Sequence, residues 1–149
     1  MPANSGRTVI ETKNAPIVKN PLSQAVMTSS PNSRLLFLSG QCGLLPDSGQ
    51  LAGLDTESQA RQALRNVGAV LAAAGVDYNS VLKCTALLAD IRDAQSFNSV
   101  YAEFFQRPYP ARECYQVSNL PAGARVEIIV VAEVATDSSS GSSRPSAKL

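Results

Sequence analysis

Hydrophobic and polar residues follow two different periods along this chain, and each change of period marks an element. Residues 35–41 (LLFLSGQ) form a short apolar run ending near Gly40. Such a run reads as a buried strand. Pro46-Asp47-Ser48-Gly49 has turn chemistry, with proline fixing one φ and glycine accepting a positive one. Gly53 closes this hairpin-like excursion. Asp55-Thr56 then offers an N-cap, and Thr56 with Gln59 has capping-box spacing. Ala60, Ala63, Leu64, Val67, Val70, Leu71 and Ala74 follow at helical steps until Gly75 supplies the stop.

Residues 81–89 (VLKCTALLA) alternate loosely, as a strand does. Asp93 is placed to cap a second helix, with Phe97, Val100, Tyr101 and Phe104 on one face and Pro108 and Pro110 beyond its end. Residues 111–118 are the next strand, residues 120–123 (LPAG) a turn, and residues 125–134 (RVEIIVVAEV) the strongest strand, rich in β-branched side chains. Two helices over one mixed sheet satisfy this order, an α/β (α+β) architecture with both helices on one face. Residues 1–14 read as a flexible arm, residues 15–135 as the domain, and residues 136–149 (TDSSSGSSRPSAKL) as a disordered Ser-rich tail.

Both faces of the last strand are apolar, so the sheet face without helices needs a cover. A subunit contact is the natural one. Only 17% of the 149 residues are charged, against roughly 25% in a typical domain, which agrees with surface hidden in an oligomer. The net charge of +1 argues against the basic face that nucleic acid requires. No run reaches the roughly 20 apolar residues of a membrane span. The chain has no histidine, which removes the usual Ser-His-Asp and Cys-His machinery and the commonest zinc ligand. Cys42, Cys84 and Cys114 have no C-x-x-C spacing, so neither a metal site nor a disulfide framework is expected.

Alternation along residues 111–118 places Arg112, Cys114 and Gln116 on one face, while Glu127 shares a face with Ile129 and Val131. If the two strands lie close together, or meet across a subunit boundary, an arginine, a thiol and a carboxylate converge on an apolar wall. Arg112 would grip a carboxylate or phosphate through two parallel bonds. Glu127 in partly apolar surroundings would be harder to ionise, which suits proton transfer or handling of a water. Cys114 would act as a nucleophile or only shape the pocket, and the missing base favours the passive role. Taken singly, each feature has a plainer reading: a cross-strand ion pair for Arg112 and Glu127, a small buried hydrophobe for Cys114, a turn for Ser39-Gly40, a solvated helix residue for Asn98.

Together these blocks resemble the RidA family, also called YjgF or L-PSP proteins. The resemblance runs from about residue 12 to residue 134. It is carried by KNAP at 13–16, PLSQA at 21–25, LSGQ at 38–41, QARQAL at 59–64, Asn98 through Tyr101 to Phe104-Phe105, PAR at 110–112, and Leu120-Pro121 leading to Val126-Glu127-Ile128. It implies a chorismate-mutase-like fold, a homotrimer with clefts between neighbouring subunits, and hydrolysis of reactive 2-imino or 2-enamino acids to 2-keto acids and ammonia without a cofactor. Arg112 then matches the carboxylate-binding arginine, Glu127 the glutamate that positions water or moves a proton, and Cys114 the cysteine at the pocket wall. Ser39, Gly40 and Asn98 match pocket-lining positions. Leu22 stands where the family usually has a tyrosine, which implies larger or less polar substrates, or reduced deaminase activity. Glu113 replaces a small residue and is harmless if it points away from Arg112.

Two other functions compete: a non-catalytic trimer that binds small carboxylates or assists a pathway, and a ribonuclease, against which the missing histidine and the charge balance count. The last three residues, Ala147-Lys148-Leu149, resemble a peroxisomal address read by an import receptor, with cytoplasm or mitochondrion as the other compartments.

Overall fold

The computed structural model describes residues 6–136. The proposed address at Ala147, Lys148 and Leu149, and all of the tail but Thr136, lie outside the described residues. Seven strands form one sheet: β1 (Arg7–Ile10), β2 (Ala25–Thr28), β3 (Arg34–Leu38), β4 (Gln41–Cys42), β5 (Val81–Leu88), β6 (Ala111–Gln116) and β7 (Val126–Val134). Two α-helices, α1 (Thr56–Ala73) and α2 (Ala94–Phe104), complete the described residues' order β1-β2-β3-β4-α1-β5-α2-β6-β7. The sheet order is β1-β2-β3-β7-β5-β6, with β4 also paired to β7. Only β5 and β6 run parallel, joined through α2, so the sheet is mixed.

Residues 1–14 are therefore not a free arm throughout. Arg7–Ile10 pairs antiparallel with β2, placing Val9 opposite Val26. This strand is short and mostly exposed, so the alternation that would announce it is weak. The run at 35–41 is also two strands rather than one. It breaks between Leu38 and Gln41, and β4 turns to pair with Ile128 and Glu127.

Side chains on β7 alternate strictly. Val126, Ile128, Val130, Ala132 and Val134 are buried under the helices, while Glu127, Ile129, Val131 and Glu133 face the other way. The core lies between sheet and helices, with Leu64, Val67, Val70 and Leu71 of α1 and Phe97 and Val100 of α2 among its fully buried members. On the helix-free face, Val9 and Phe37 are about half exposed and Ile129 and Val131 half-buried.

The helix ends refine the sequence reading. Asp55 caps α1 by accepting from the Ser58 amide at 2.7 Å. Gln59 does not return to the cap; its Nε2 donates to the Gly53 carbonyl, and its Oε1 accepts from the Arg125 amide. Thr56 and Asp93, both expected to cap, instead join the helix starts to β7. The Thr56 hydroxyl donates to Asp93 at 2.6 Å and accepts from Arg125, whose Nη2 lies 2.5 Å from the same carboxylate. Gly75 adopts φ +78°, the left-handed geometry that stops a helix.

Candidate active site

Register decides which side chains can meet. Cys84 on β5 stands opposite both Arg112 on β6 and Val130 on β7, and Ala86 stands opposite Cys114 and Ile128. Laterally paired residues share a face, and Cys84, Ala86, Val130 and Ile128 are all buried beneath the helices. Arg112 and Cys114 therefore sit on the helix side. Glu127 is opposite Leu87, which is opposite Tyr115, on the bare side. Within one chain the arginine and the glutamate do not converge, because the strand between them fixes their residues on opposite faces.

The Arg112 half is a shallow cleft of about 320 Å³ lined by Asn98, Tyr101, Ala102, Tyr109, Pro110 and Arg112. Helix α2 presents Phe97 and Tyr101 four residues apart on one face. The Arg112 guanidinium lies 4.7 Å from the Tyr101 ring centre and 5.5 Å from that of Phe97. Its Nη2 donates to Asn98 Oδ1 at 2.8 Å. No ion pair engages Arg112 among the described residues; its charge rests on two ring faces and one amide. Glu113 points away, accepting from the Thr85 hydroxyl at 2.7 Å and pairing with Lys83 at 3.0 Å. It does not compete for Arg112.

Cys114 is half-buried beside this cleft, and burial pushes its thiol above the ordinary range while Arg112 pulls it down. A thiol held protonated is a poor nucleophile. This environment agrees with the passive, wall-forming role of Cys114 rather than with a nucleophile. Beneath Arg112, the buried Cys84 thiol is pushed up to about 12 despite the nearby cation.

The Glu127 half is a second cleft of about 150 Å³, reached from the loop between β1 and β2. Pro16, Val18, Leu22, Leu44 and Pro121 line it together with Gly40 and Glu127. Burial alone raises the Glu127 carboxyl above its usual value. The carboxylate packs directly on Gly40, where a Cβ would fall 1.8 Å from Oε1. Cys42, paired with Glu127 across β4 and β7, is pushed up to about 12 by burial and by that carboxylate.

Ser39 stands behind this cleft. Its hydroxyl donates to the Ser23 carbonyl at 2.6 Å and its amide to the Gln24 carbonyl at 2.9 Å. Gln24, part of the PLSQA block but assigned no role there, is buried and holds the rest of the loop. Its Nε2 donates to the Thr12, Ala15 and Pro16 carbonyls, and its Oε1 accepts from the Thr12 amide. Asn66 does the same for β4, donating from α1 to the carbonyls of Cys42 and Leu44. Tyr101 was also missed as a site residue. Its spacing of three from Asn98 marked it as a neighbour, but its aromatic character assigned it to the core.

The sequence model of the family described as endoribonuclease L-PSP matches residues 12–134. The chain belongs to the RidA (L-PSP) family. The 2-iminobutanoate/2-iminopropanoate deaminase of Bos taurus is 47% identical over 126 residues, spanning 85% of this chain and 89% of that protein. The chloroplastic Reactive Intermediate Deaminase A of Arabidopsis thaliana is 42% identical, spanning 85% of this chain and 65% of its own length. Among solved structures, the Rid-family protein YyfA from Yersinia pestis superposes with a TM-score of 0.80 at 42% identity, covering 86% of this chain and 99% of that one. In this RidA-family chain, Arg112 and Glu127 line two separate clefts.

Proposed function

We propose that the protein hydrolyses reactive 2-imino acids, and their 2-enamino tautomers, to 2-keto acids and ammonia. The site is a cleft completed between neighbouring copies of a homotrimer. The observation that carries this reading is Arg112, a cation fixed by an amide and two rings with no carboxylate partner among the described residues. The relatives named as 2-iminobutanoate/2-iminopropanoate deaminase and Reactive Intermediate Deaminase A agree with it. The bare apolar sheet face, with Val9, Phe37 and Val131, supports association of copies.

In the proposed reaction, Arg112 of one copy binds the substrate carboxylate through two parallel bonds. This places the imine carbon over Glu127 of the next copy. Water adds to that carbon and gives a proton to Glu127, whose raised basicity suits it to the task. In the carbinolamine so formed from the protonated imine, Glu127 passes that proton to the amine nitrogen, the C–N bond breaks with its electron pair leaving on ammonia, and the C=O bond forms as the remaining hydroxyl proton returns to Glu127 and from there to solvent. No residue needs to form a covalent bond to substrate, and the reading requires no cofactor.

The test is subunit complementation. Arg112→Ala and Glu127→Gln are each expected to lower ammonia release from enzymatically generated 2-iminobutanoate by about 10²-fold, the scale of losing charge-assisted bonds. Unfolding the two variants together and refolding them as a mixture is expected to restore about a quarter of the wild-type sites, because a site between copies takes one group from each. A mixture no more active than its parts overturns the composite site. Wild-type protein that releases no ammonia above background favours the non-catalytic binder instead.

A further inference from the structure

We propose that the Glu127 cleft selects its substrate by an apolar side chain, with Leu22 and Val18 setting the preference. The proposal rests on the deaminase reading above and names the substrate class of that same site.

The cleft contains few groups able to receive a polar substituent. Its wall is Pro16, Val18, Leu22, Leu44 and Pro121. Several of the polar side chains around it are committed to backbone groups. All the donating bonds found for Gln24 go to loop carbonyls, and its oxygen accepts from Thr12. Gln41 donates to the Ser39 carbonyl, and Ser39 donates to Ser23. Cys42 behaves as a small apolar group, because its thiol is buried and remains protonated. Asn20 lies in the exposed part of the loop, at the rim.

A 2-imino acid has three substituents on its reacting carbon. Arg112 takes the carboxylate, and the nitrogen must face the proton donor and water. The side chain is left for the apolar wall. A hydroxyl or charge carried there loses its water and meets groups already paired, which is unfavourable. An alkyl chain gains from each methylene removed from water, about fourfold per group in binding. Leu22, at 45%, and Val18, at 39%, are exposed members of the wall, and so they are residues an entering side chain covers.

The test is a series of imines generated in situ by an amino-acid oxidase from alanine, 2-aminobutyrate, norvaline, leucine and serine. Conversion to keto acid is followed with and without the full-length protein. The expected result is kcat/KM rising about fourfold per methylene from the alanine-derived to the norvaline-derived imine. The serine-derived imine is expected no faster than the alanine-derived one. In Leu22→Asn the slope is expected to fall below twofold per methylene, whatever the absolute rate. Val18→Ser provides a second reading if Leu22→Asn does not fold. A flat or falling series with efficient turnover overturns the proposal and leaves the deaminase reading standing. A slope unchanged in both variants overturns the assignment to this wall. Absence of turnover on every imine overturns both.

Discussion

Replacing Gly40 by alanine separates the placement of Glu127 from the stability of the fold. Gly40 does not have a positive φ, so alanine meets no backbone strain there. What it meets is Glu127: the new Cβ would lie 1.8 Å from Oε1, 2.6 Å from Cδ and 2.9 Å from Cγ. An ordinary contact begins at roughly 3.5 Å, so the carboxylate must move by more than about 1 Å. Because the atoms in the way are the far end of a flexible side chain, the fold can accommodate them by a rotamer change. The expected thermal midpoint is therefore within a few degrees of wild type, the more so because alanine restricts the unfolded chain. Catalysis is less tolerant, since a displacement of about 1 Å at a reacting group costs on the order of 10²-fold. Steady-state release of keto acid from 2-iminobutanoate, measured beside a melting curve, reads both quantities. The expected outcome is a large fall in kcat, a small change in KM and a nearly unchanged midpoint. A variant with wild-type kcat would show that the position of Glu127 over Gly40 is not the working one. Gly43 provides the contrast, since its Cβ would fall 2.4 Å from the backbone carbonyl oxygen of Gln59, which cannot swing aside.

Two further outcomes follow from the supports of the site. Burial raises the Glu127 pKa, so the folded protein holds that proton more tightly than the unfolded chain does. Its stabilising contribution is full below the ordinary value of 4.5 and is lost as pH rises through the higher folded value. Glu127→Gln removes the charge, so its melting point is expected to exceed that of wild type at pH 8 and to converge with it near pH 4; scanning fluorimetry at the two pH values checks this, and a lower midpoint at pH 8 refutes it. Asn66→Leu leaves the Cys42 and Leu44 carbonyls without their donor. The expected loss is about 2–4 kcal/mol by urea unfolding, with activity falling as β4 loosens beneath Glu127, and a loss below about 1 kcal/mol would contradict that role.

Periodicity and cap residues mark both helices, loose alternation marks β5 and β-branched content marks β7, because these elements bury one face against the core. Strand β1 escaped because it is nearly all exposed, and β4 because two residues carry no period. The site residues Arg112, Asn98, Gly40, Leu22 and Glu127 do line the two clefts. Their separation onto opposite faces depends on β5 lying between β6 and β7, and strand order is a long-range property that no local pattern records. The supporting amides of Gln24 and Asn66 were invisible for a related reason. Their partners are backbone carbonyls 8–12 and 22–24 residues away, supplied by loops whose paths the sequence does not reveal.

On the proposed site between copies, the back-to-back arrangement of Arg112 and Glu127 would make chemistry a matter of encounter. A solitary folded copy would hold the anchor for one molecule and the proton acceptor for another, with the thickness of a sheet between them. Catalytic power would then appear only as copies gather, and dilution would extinguish it through mass action without unfolding any subunit. A newly made chain would be inert until it found its neighbours, so the cell's supply of this activity would follow the chain's concentration more steeply than in simple proportion.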